Sequence, residues 1–316
     1  MFAPISTLLS PGTRFRLIDA GSRGDLDARW QPMQCMLEVI CFDADADAST
    51  GGNSRLIPAF LSERDGEEIE FFITKQAGAS SRYAPDMEFW KRVKNVDIFR
   101  VFPNAPGAEP TGIRLPAYEF EVDKTVTVKS RSLDSVAREH DIRDVAFMKM
   151  DLEGSELDVL RGGQETLKSV VGLEIEVAFG DYRVGGCRFA DIDEFVRTQG
   201  FSFFGFVYTH GSHYAGRLAA PFEHTAEGWP LPFKQTFGQL VTADAVYFRD
   251  PLRSEETFGA WPADRVIKLI IAADVYGQAE FAAELTVRLI ERERRCGNPW
   301  AETLAQQFAE CLTNAR

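Results

Sequence analysis

The sequence predicts an α/β fold on a mostly parallel sheet with flanking helices and a C-terminal α-helical appendage. Three observations predict it. Short apolar runs alternate with helix-like stretches from residue 14 to residue 249, the pattern of a parallel sheet with crossover helices. The apolar run Val145–Met150 leads into the octet Lys149-Met150-Asp151-Leu152-Glu153-Gly154-Ser155-Glu156, and a helix-like stretch leads out of it. A carboxylate thus falls where a buried strand ends and a helix begins, the edge at which open α/β sheets bind ligands. Residues 262–313 then turn Ala-rich, with apolar residues at helical spacing.

Taken in order, residues 14–21 predict a first strand closed by a tight turn, with Gly21 and Gly24 bracketing Ser22 and Arg23. A short helix to Met33 follows, then two apolar runs, Leu37–Phe42 and Leu56–Leu61. Glu68–Thr74 adds a strand, and Asp65-Gly66 before it suits a hairpin turn. Residues 76–96, with Gly78, Pro85, Phe89 and Trp90, predict an irregular surface segment beside a site, and the Pro- and Gly-rich stretch 103–116 a loop. Residues 119–129 alternate and predict a strand; Leu133–His140 predicts a helix capped by Ser132. Val145–Met150 lacks alternation, as expected of a strand buried on both faces.

Ser155–Arg161 predicts a helix ended by Gly162 and Gly163. A strand over 171–179, a helix over 189–198 and strands over 201–207 and 245–249 follow. Between the last two, residues 208–244 lack periodicity and predict a long functional loop carrying His210, His213 and His224. Near the end, Asn298-Pro299 predicts a helix start. Trp300, Leu304, Phe308 and Leu312 then form one apolar stripe, which suits packing back on the sheet or pairing two subunits as a homodimer. The expected division is 1–255 for the sheet domain and 256–316 for the appendage.

The bulk properties exclude several classes. Acidic residues number 48 against 35 lysines and arginines, a net charge of −13 that disfavours nucleic-acid backbones and anionic lipid. Cysteines at 35, 41, 187, 296 and 311 lack CxxC spacing, which speaks against a disulfide framework or structural zinc. No stretch approaches the roughly 20 apolar residues of a membrane span. Met1–Pro11 shows no secretory signal. A cytoplasmic location is the expectation.

Asp19, Gly21, Ser22 and Gly24 at the first strand end, with Asp43 at the second, predict a cofactor site. Glycines let the backbone turn sharply and approach a ligand. A carboxylate at the offset of Asp43 from Gly21 accepts hydrogen bonds from ribose hydroxyls. The set suits any adenosine cofactor, but Gly21-Ser22-Arg23-Gly24-Asp25-Leu26 lacks the second and third glycines of GxGxxG that a pyrophosphate needs. S-adenosylmethionine carries no phosphate and does not require that cradle.

At this point the sequence resembles FkbM-type methyltransferases. The octet at 149–156 is similar to their K-x-D-x-E-G-x-E signature, continued by Leu157-Asp158-Val159-Leu160-Arg161-Gly162 and by Glu174-Ile175-Glu176. Cys41-Phe42-Asp43, Ser80-Ser81 and Leu133-Asp134 also fit, with Arg23 and Asp43 standing where the family has Asn and Glu. The resemblance covers roughly 14–250. It implies a Rossmann-like fold and S-adenosylmethionine-dependent O-methylation of a hydroxyl on a sugar, glycolipid or natural product.

Within that chemistry Asp151 is the first candidate to orient or deprotonate the acceptor hydroxyl, and Glu153 the second. Glu156 suits the helix start, where a carboxylate meets the helix dipole. Gly154 suits the sharp turn, and Lys149 a structural ion pair. Asp151, Glu153, Glu174 and Glu176 also form a candidate set for a divalent cation such as Mg²⁺ or Ca²⁺; this is the minor reading, and no metal ligand is assigned. Tyr83, Phe89, Trp90, Tyr208, Tyr214 and Trp229 are candidates to stack on an acceptor. The alternatives are an NAD-dependent oxidoreductase, which the broken GxGxxG disfavours, and a non-catalytic binding module on the same fold.

Overall fold

The structure is a computed structural model. It describes residues 13–21, 27–44, 54–100, 112–114, 116–214 and 239–314. Its strands are β1 (Phe15–Ala20), β2 (Leu37–Asp43), β3 (Arg55–Pro58), β4 (Phe60–Ser62), β5 (Glu68–Thr74), β6 (Val93–Arg100), β7 (Gly112–Arg114), β8 (Val122–Ser132), β9 (Val145–Met150), β10 (Gly172–Ala178), β11 (Phe201–Tyr214) and β12 (Gln239–Arg249). Nine of them form one sheet in the order β3-β2-β1-β9-β10-β12-β11-β6-β7. Pairing is parallel from β3 across to β10 and antiparallel from β10 across to β7. By direction only β12 and β6 run against the others, so the sheet is mostly parallel, with helices on both faces. This is a Rossmann-like α/β fold.

Period-2 alternation explains why both faces are covered. Phe15, Leu17, Phe147 and Phe248 face one layer, formed by the helices Ala263–Val275 and Ala279–Arg295 through Val266, Leu269, Ile270, Leu285 and Leu289. Ile18, Ile40, Met148, Met150 and Leu173 face the other. That layer uses the helices Leu133–Glu139, Glu156–Gly162 and Phe189–Thr198. Ser132 caps the first of these, its Oγ accepting from the Ser135 N–H at 3.3 Å. Leu304 of the last helix, Trp300–Asn314, is fully buried in the first core, and Trp300 and Phe308 pack against it. The stripe therefore faces inward over these residues. No helix among the described residues is long and apolar enough to cross a membrane.

Four expectations change in detail. The run Leu56–Leu61 splits at Ala59 into β3 and β4, which join different sheets. Asp65-Gly66 does form a turn, but β4 and β5 do not pair as a hairpin: β8 lies between them, parallel to β4 and antiparallel to β5. Ser130 of β8 accepts from Gly66 N–H at 2.8 Å and donates to Glu67 at 2.9 Å, which inserts it between the two. The segment 76–96 is more ordered than expected, with a short helix Met87–Trp90 and the start of β6. Both ends of the expected loop are strand, since β11 continues to Tyr214 and β12 begins at Gln239; residues 215–238 lie outside the described residues. Most of the expected 103–116 loop lies outside the described residues.

Because Val266, Leu269 and Ile270 are part of the core, the helical C-terminus is expected to be needed for folding of the sheet. Leu269→Ala is expected to cost about 2–5 kcal/mol in urea unfolding. A chain ending near residue 255 is expected to lose its cooperative transition; a truncated chain that still unfolds cooperatively would show that the helices are dispensable.

Candidate active site

The chain runs outward from β1 to β3, then returns to the other side of β1 as β9. Between β1 and β9 lies the switch point at which such sheets open a crevice. A cavity of about 670 Å³ sits there, at the carboxyl ends of the parallel strands. Asp19, Gly21, Asp43, Asp151 and Glu153 all line it. Ser22 and Gly24 lie outside the described residues.

The octet folds as a braced turn. Asp151 N–H donates to the Ala20 carbonyl at 3.0 Å, which joins the ends of β9 and β1. Gly21, at φ +83°, lies so close to this junction that a Cβ would fall 1.9 Å from the Asp151 carbonyl oxygen. The crossing of two strand ends therefore requires glycine. Glu153 (φ +55°) and Gly154 (φ +102°) both take the left-handed conformation. That conformation costs a non-glycine residue roughly 1–2 kcal/mol, and three contacts offset it. Arg183 Nη2 donates to Glu153 Oε2 at 2.5 Å. Ser81 Oγ donates to the Glu153 carbonyl at 2.9 Å. Glu156 Oε1 accepts from the N–H groups of Leu152 (2.7 Å) and Gly154 (3.2 Å).

These contacts separate the octet's carboxylates by role. Glu156 is 1% exposed and clamps the turn. Glu153 lines the cavity but is engaged by Arg183. Asp151 lines the cavity with its side chain 45% exposed, 3.7 Å from Lys149 Nζ. Lys149 also reaches Asp19 Oδ1 at 3.8 Å. Burial works to lower the Lys149 pKa, but Asp151, Asp19, Glu174 and Asp244 together outweigh it and hold the ammonium well above its ordinary value.

Carboxylates dominate the cavity. Asp19, Asp27, Asp43, Glu119, Asp151, Glu153, Glu176 and Asp244 line it, against the ammonium of Lys149. Burial first, then the neighbouring carboxylates Asp151, Glu153, Glu156 and Asp244, push Glu176 well above the usual carboxylate range. Burial, Glu174 and Asp151 do the same to Asp244. Of the candidate cation set, Asp151, Glu153 and Glu176 place carboxylate oxygens within 4.8 Å of one another. Glu174 does not join them: Arg29 Nη1 binds it at 3.1 Å and the Tyr276 hydroxyl donates to it.

The loop candidates divide similarly. His210 lines the cavity and its Nδ1 lies 2.6 Å from Thr242 Oγ1. The side chains of His213 and Tyr214, and all of His224 and Trp229, lie outside the described residues. Trp90 is buried and stacked on Phe120 at 4.2 Å, so it packs rather than presenting a platform. Tyr83 donates to Asp158 at 2.9 Å. Tyr208 lines the cavity.

Two contributors escape a reading of the sequence. Arg183, 4% exposed, also donates to the carbonyls of Ala79 (2.7 Å) and Tyr83 (3.2 Å). It lies in a Gly-rich stretch with no local pattern linking it to Glu153. Asp244 lies one residue before the expected strand at 245, and only the longer β12 brings it opposite Glu176.

Residues 76–203 match the methyltransferase FkbM domain. A methyltransferase is thus the coarse functional reading. The FkbM match takes in Ser81, the whole octet, Glu176 and Arg183; β1 and β2 with Asp19, Gly21 and Asp43 precede it, and β12 with Asp244 follows. No curated protein and no solved structure matches the chain.

Burial raises the Glu156 carboxyl from 4.5 to about 7, against the opposing effect of the N–H groups it accepts from. The folded state therefore holds a proton that the unfolded state releases between those values. The stability this contributes is complete below pH 4.5, falls as pH rises toward 7, and is absent above it, an upper limit of about 3 kcal/mol. Glu156→Gln keeps the acceptor oxygen and removes the charge. It is expected to match the wild type near pH 4.5 and to exceed its stability at pH 8. Thermal melts across this range check it; parallel pH profiles for the two proteins would contradict the assignment.

Proposed function

We propose that this chain is an S-adenosylmethionine-dependent O-methyltransferase acting on a hydroxyl of a sugar, glycolipid or natural product. The observation that carries the cofactor reading is the acidic lining of the cavity: eight acidic side chains against one lysine, which stays net negative even though burial holds Glu176 and Asp244 toward their neutral forms and Arg183 neutralises Glu153. One pair of unit charges at 4 Å interacts by about 4 kcal/mol at an effective dielectric of 20. Such a lining attracts a sulfonium and an ammonium and repels a pyrophosphate. This favours S-adenosylmethionine over NAD, and the missing glycines point the same way.

The residues present fit the cofactor. Asp43 would accept hydrogen bonds from the ribose hydroxyls, and Phe42, Ala44, Leu61 and Leu152 offer an apolar wall for adenine. When bound, S-adenosylmethionine supplies an electrophilic methyl group on sulfur. The protein's task is then alignment and removal of one proton. Asp151, part-exposed and fixed beside Lys149, would orient the acceptor hydroxyl and take its proton. Glu153, held by Arg183, would position the turn that presents Asp151. The free thiols Cys35, Cys187 and Cys296 suit a reducing cytoplasm.

Calorimetry with S-adenosylhomocysteine tests the cofactor reading. Asp43→Ala is expected to weaken binding at least tenfold, about 1.4 kcal/mol; equal affinity would remove the ribose assignment. Thermal stabilisation by NAD and not by S-adenosylhomocysteine would instead favour the oxidoreductase. Asp151→Asn is expected to bind S-adenosylhomocysteine like the wild type and to lose about 10²–10⁴-fold in turnover; unchanged turnover would show that Asp151 is not the base.

A further inference from the structure

We infer that Asp151, Glu153 and Glu176 form a binding site for one hard divalent cation. Their carboxylate oxygens lie within 4.8 Å of one another. Oxygens bound to a common cation are separated by at most twice the metal–oxygen distance, about 4–5 Å for Mg²⁺ or Ca²⁺. The spacing thus admits a single ion bound by all three.

A second observation points to a ligand there. Glu176 is 7% exposed, and its Oε2 is buried with no hydrogen-bond partner among the described residues. It lines the cavity together with Asp151 and Glu153. The two nearby cations serve the other carboxylates: Arg183 binds Glu153, and Lys149 reaches Asp151. A buried carboxylate oxygen without a donor is costly, and a metal ion supplies what it lacks. Three protein ligands leave positions open on a cation that prefers six or more oxygens. Water would fill them, or two oxygens of a vicinal diol or hydroxy-carbonyl compound.

The role toward an acceptor rests on the methyltransferase reading; cation binding itself does not. Under that reading the ion would hold the acceptor hydroxyl and lower its pKa, which would make an acceptor with adjacent oxygens the preferred class. Asp151, whose Oδ2 lies 3.7 Å from Lys149 Nζ, would serve as ligand through one oxygen and keep the other to take the acceptor proton that the ion loosens.

Manganese is a direct probe. Titration of Mn²⁺ into the full chain, with free Mn²⁺ followed by electron paramagnetic resonance, is expected to show one saturable site that Mg²⁺ or Ca²⁺ displaces. Glu176→Gln and Asp151→Asn are each expected to weaken it at least tenfold without lowering the melting temperature. Glu88→Gln, at an 86% exposed side chain, serves as control for diffuse attraction to an acidic protein and is expected to bind as the wild type. Absence of saturable binding at millimolar Mn²⁺, or wild-type affinity in both site variants, would overturn the proposal. Parallel titration with S-adenosylhomocysteine separates the two readings: cofactor binding without Mn²⁺ binding removes the cation alone, and the reverse removes the methyltransferase reading while the cation site stands.

Discussion

The buried ion pair between Arg183 and Glu153 is the interaction on which the candidate site depends. Its side chains are 1% and 7% exposed, and Arg183 Nη2 lies 2.5 Å from Glu153 Oε2. A pair buried this deeply is weak evidence of net stabilisation, yet breaking one costs about 3–5 kcal/mol because the other charge is left uncompensated. Here it also performs a geometric task. Glu153 occupies a backbone conformation that its side chain disfavours, and Arg183 fixes it from the loop after β10. The same guanidinium takes the carbonyls of Ala79 and Tyr83. One cation thus holds together the turn after β9, the segment before the helix Met87–Trp90, and its own loop.

The charge of the cavity follows from strand register. On one face of the sheet, Phe15 and Leu17 of β1 precede Asp19, Phe147 of β9 precedes Lys149, and Gly172 of β10 precedes Glu174 and Glu176. Asp19 lies opposite Lys149, Lys149 opposite Glu174, and Glu176 opposite Asp244. This face therefore changes from apolar to titratable side chains toward the carboxyl ends of the strands. The apolar part binds the C-terminal helices, while Asp19, Lys149, Glu176 and Asp244 line the cavity. Tyr276 and Arg29 mark the border, satisfying Glu174 from the helical side.

That division explains what was legible in the sequence. Period and punctuation revealed the strands that build the parallel half, because a strand buried on both faces leaves a short apolar run in the chain. They revealed the start of the helix Leu133–Glu139, because Ser132 carries its own cap. They also placed Asp19, Gly21, Asp43, Asp151 and Glu153, since each sits at the end of such a run. Legibility failed where a partner lies far along the chain. Nothing near Arg183 announces Glu153, thirty residues earlier. Nothing near Ser130 announces that β8 will separate β4 from β5. The ends of β11 and β12 failed for a different reason: these antiparallel strands pair through their backbones, and Thr209, His210 and Thr242 supply no apolar run to mark them.

The octet shows how much of a chemical-looking signature can be architectural. Of its four charged residues, Glu156 turns back to accept two N–H groups of its own turn, Glu153 is bound by Arg183, and Lys149 bridges Asp19 and Asp151. Gly154 admits the left-handed step that lets Glu156 reach Leu152. The alternate spacing of 151, 153 and 156 is thus accounted for largely by a strand that ends, reverses its backbone twist and enters a helix within a few residues. Asp151 alone combines a cavity-facing carboxylate with substantial solvent access. Likeness within this octet therefore speaks first for the turn. Chemistry enters through what the turn presents: one accessible carboxylate, and Glu176 buried beside it with an oxygen that no described donor satisfies. Two acidic side chains, held together by neighbours that brace the backbone, favour a positively charged occupant whichever reaction follows.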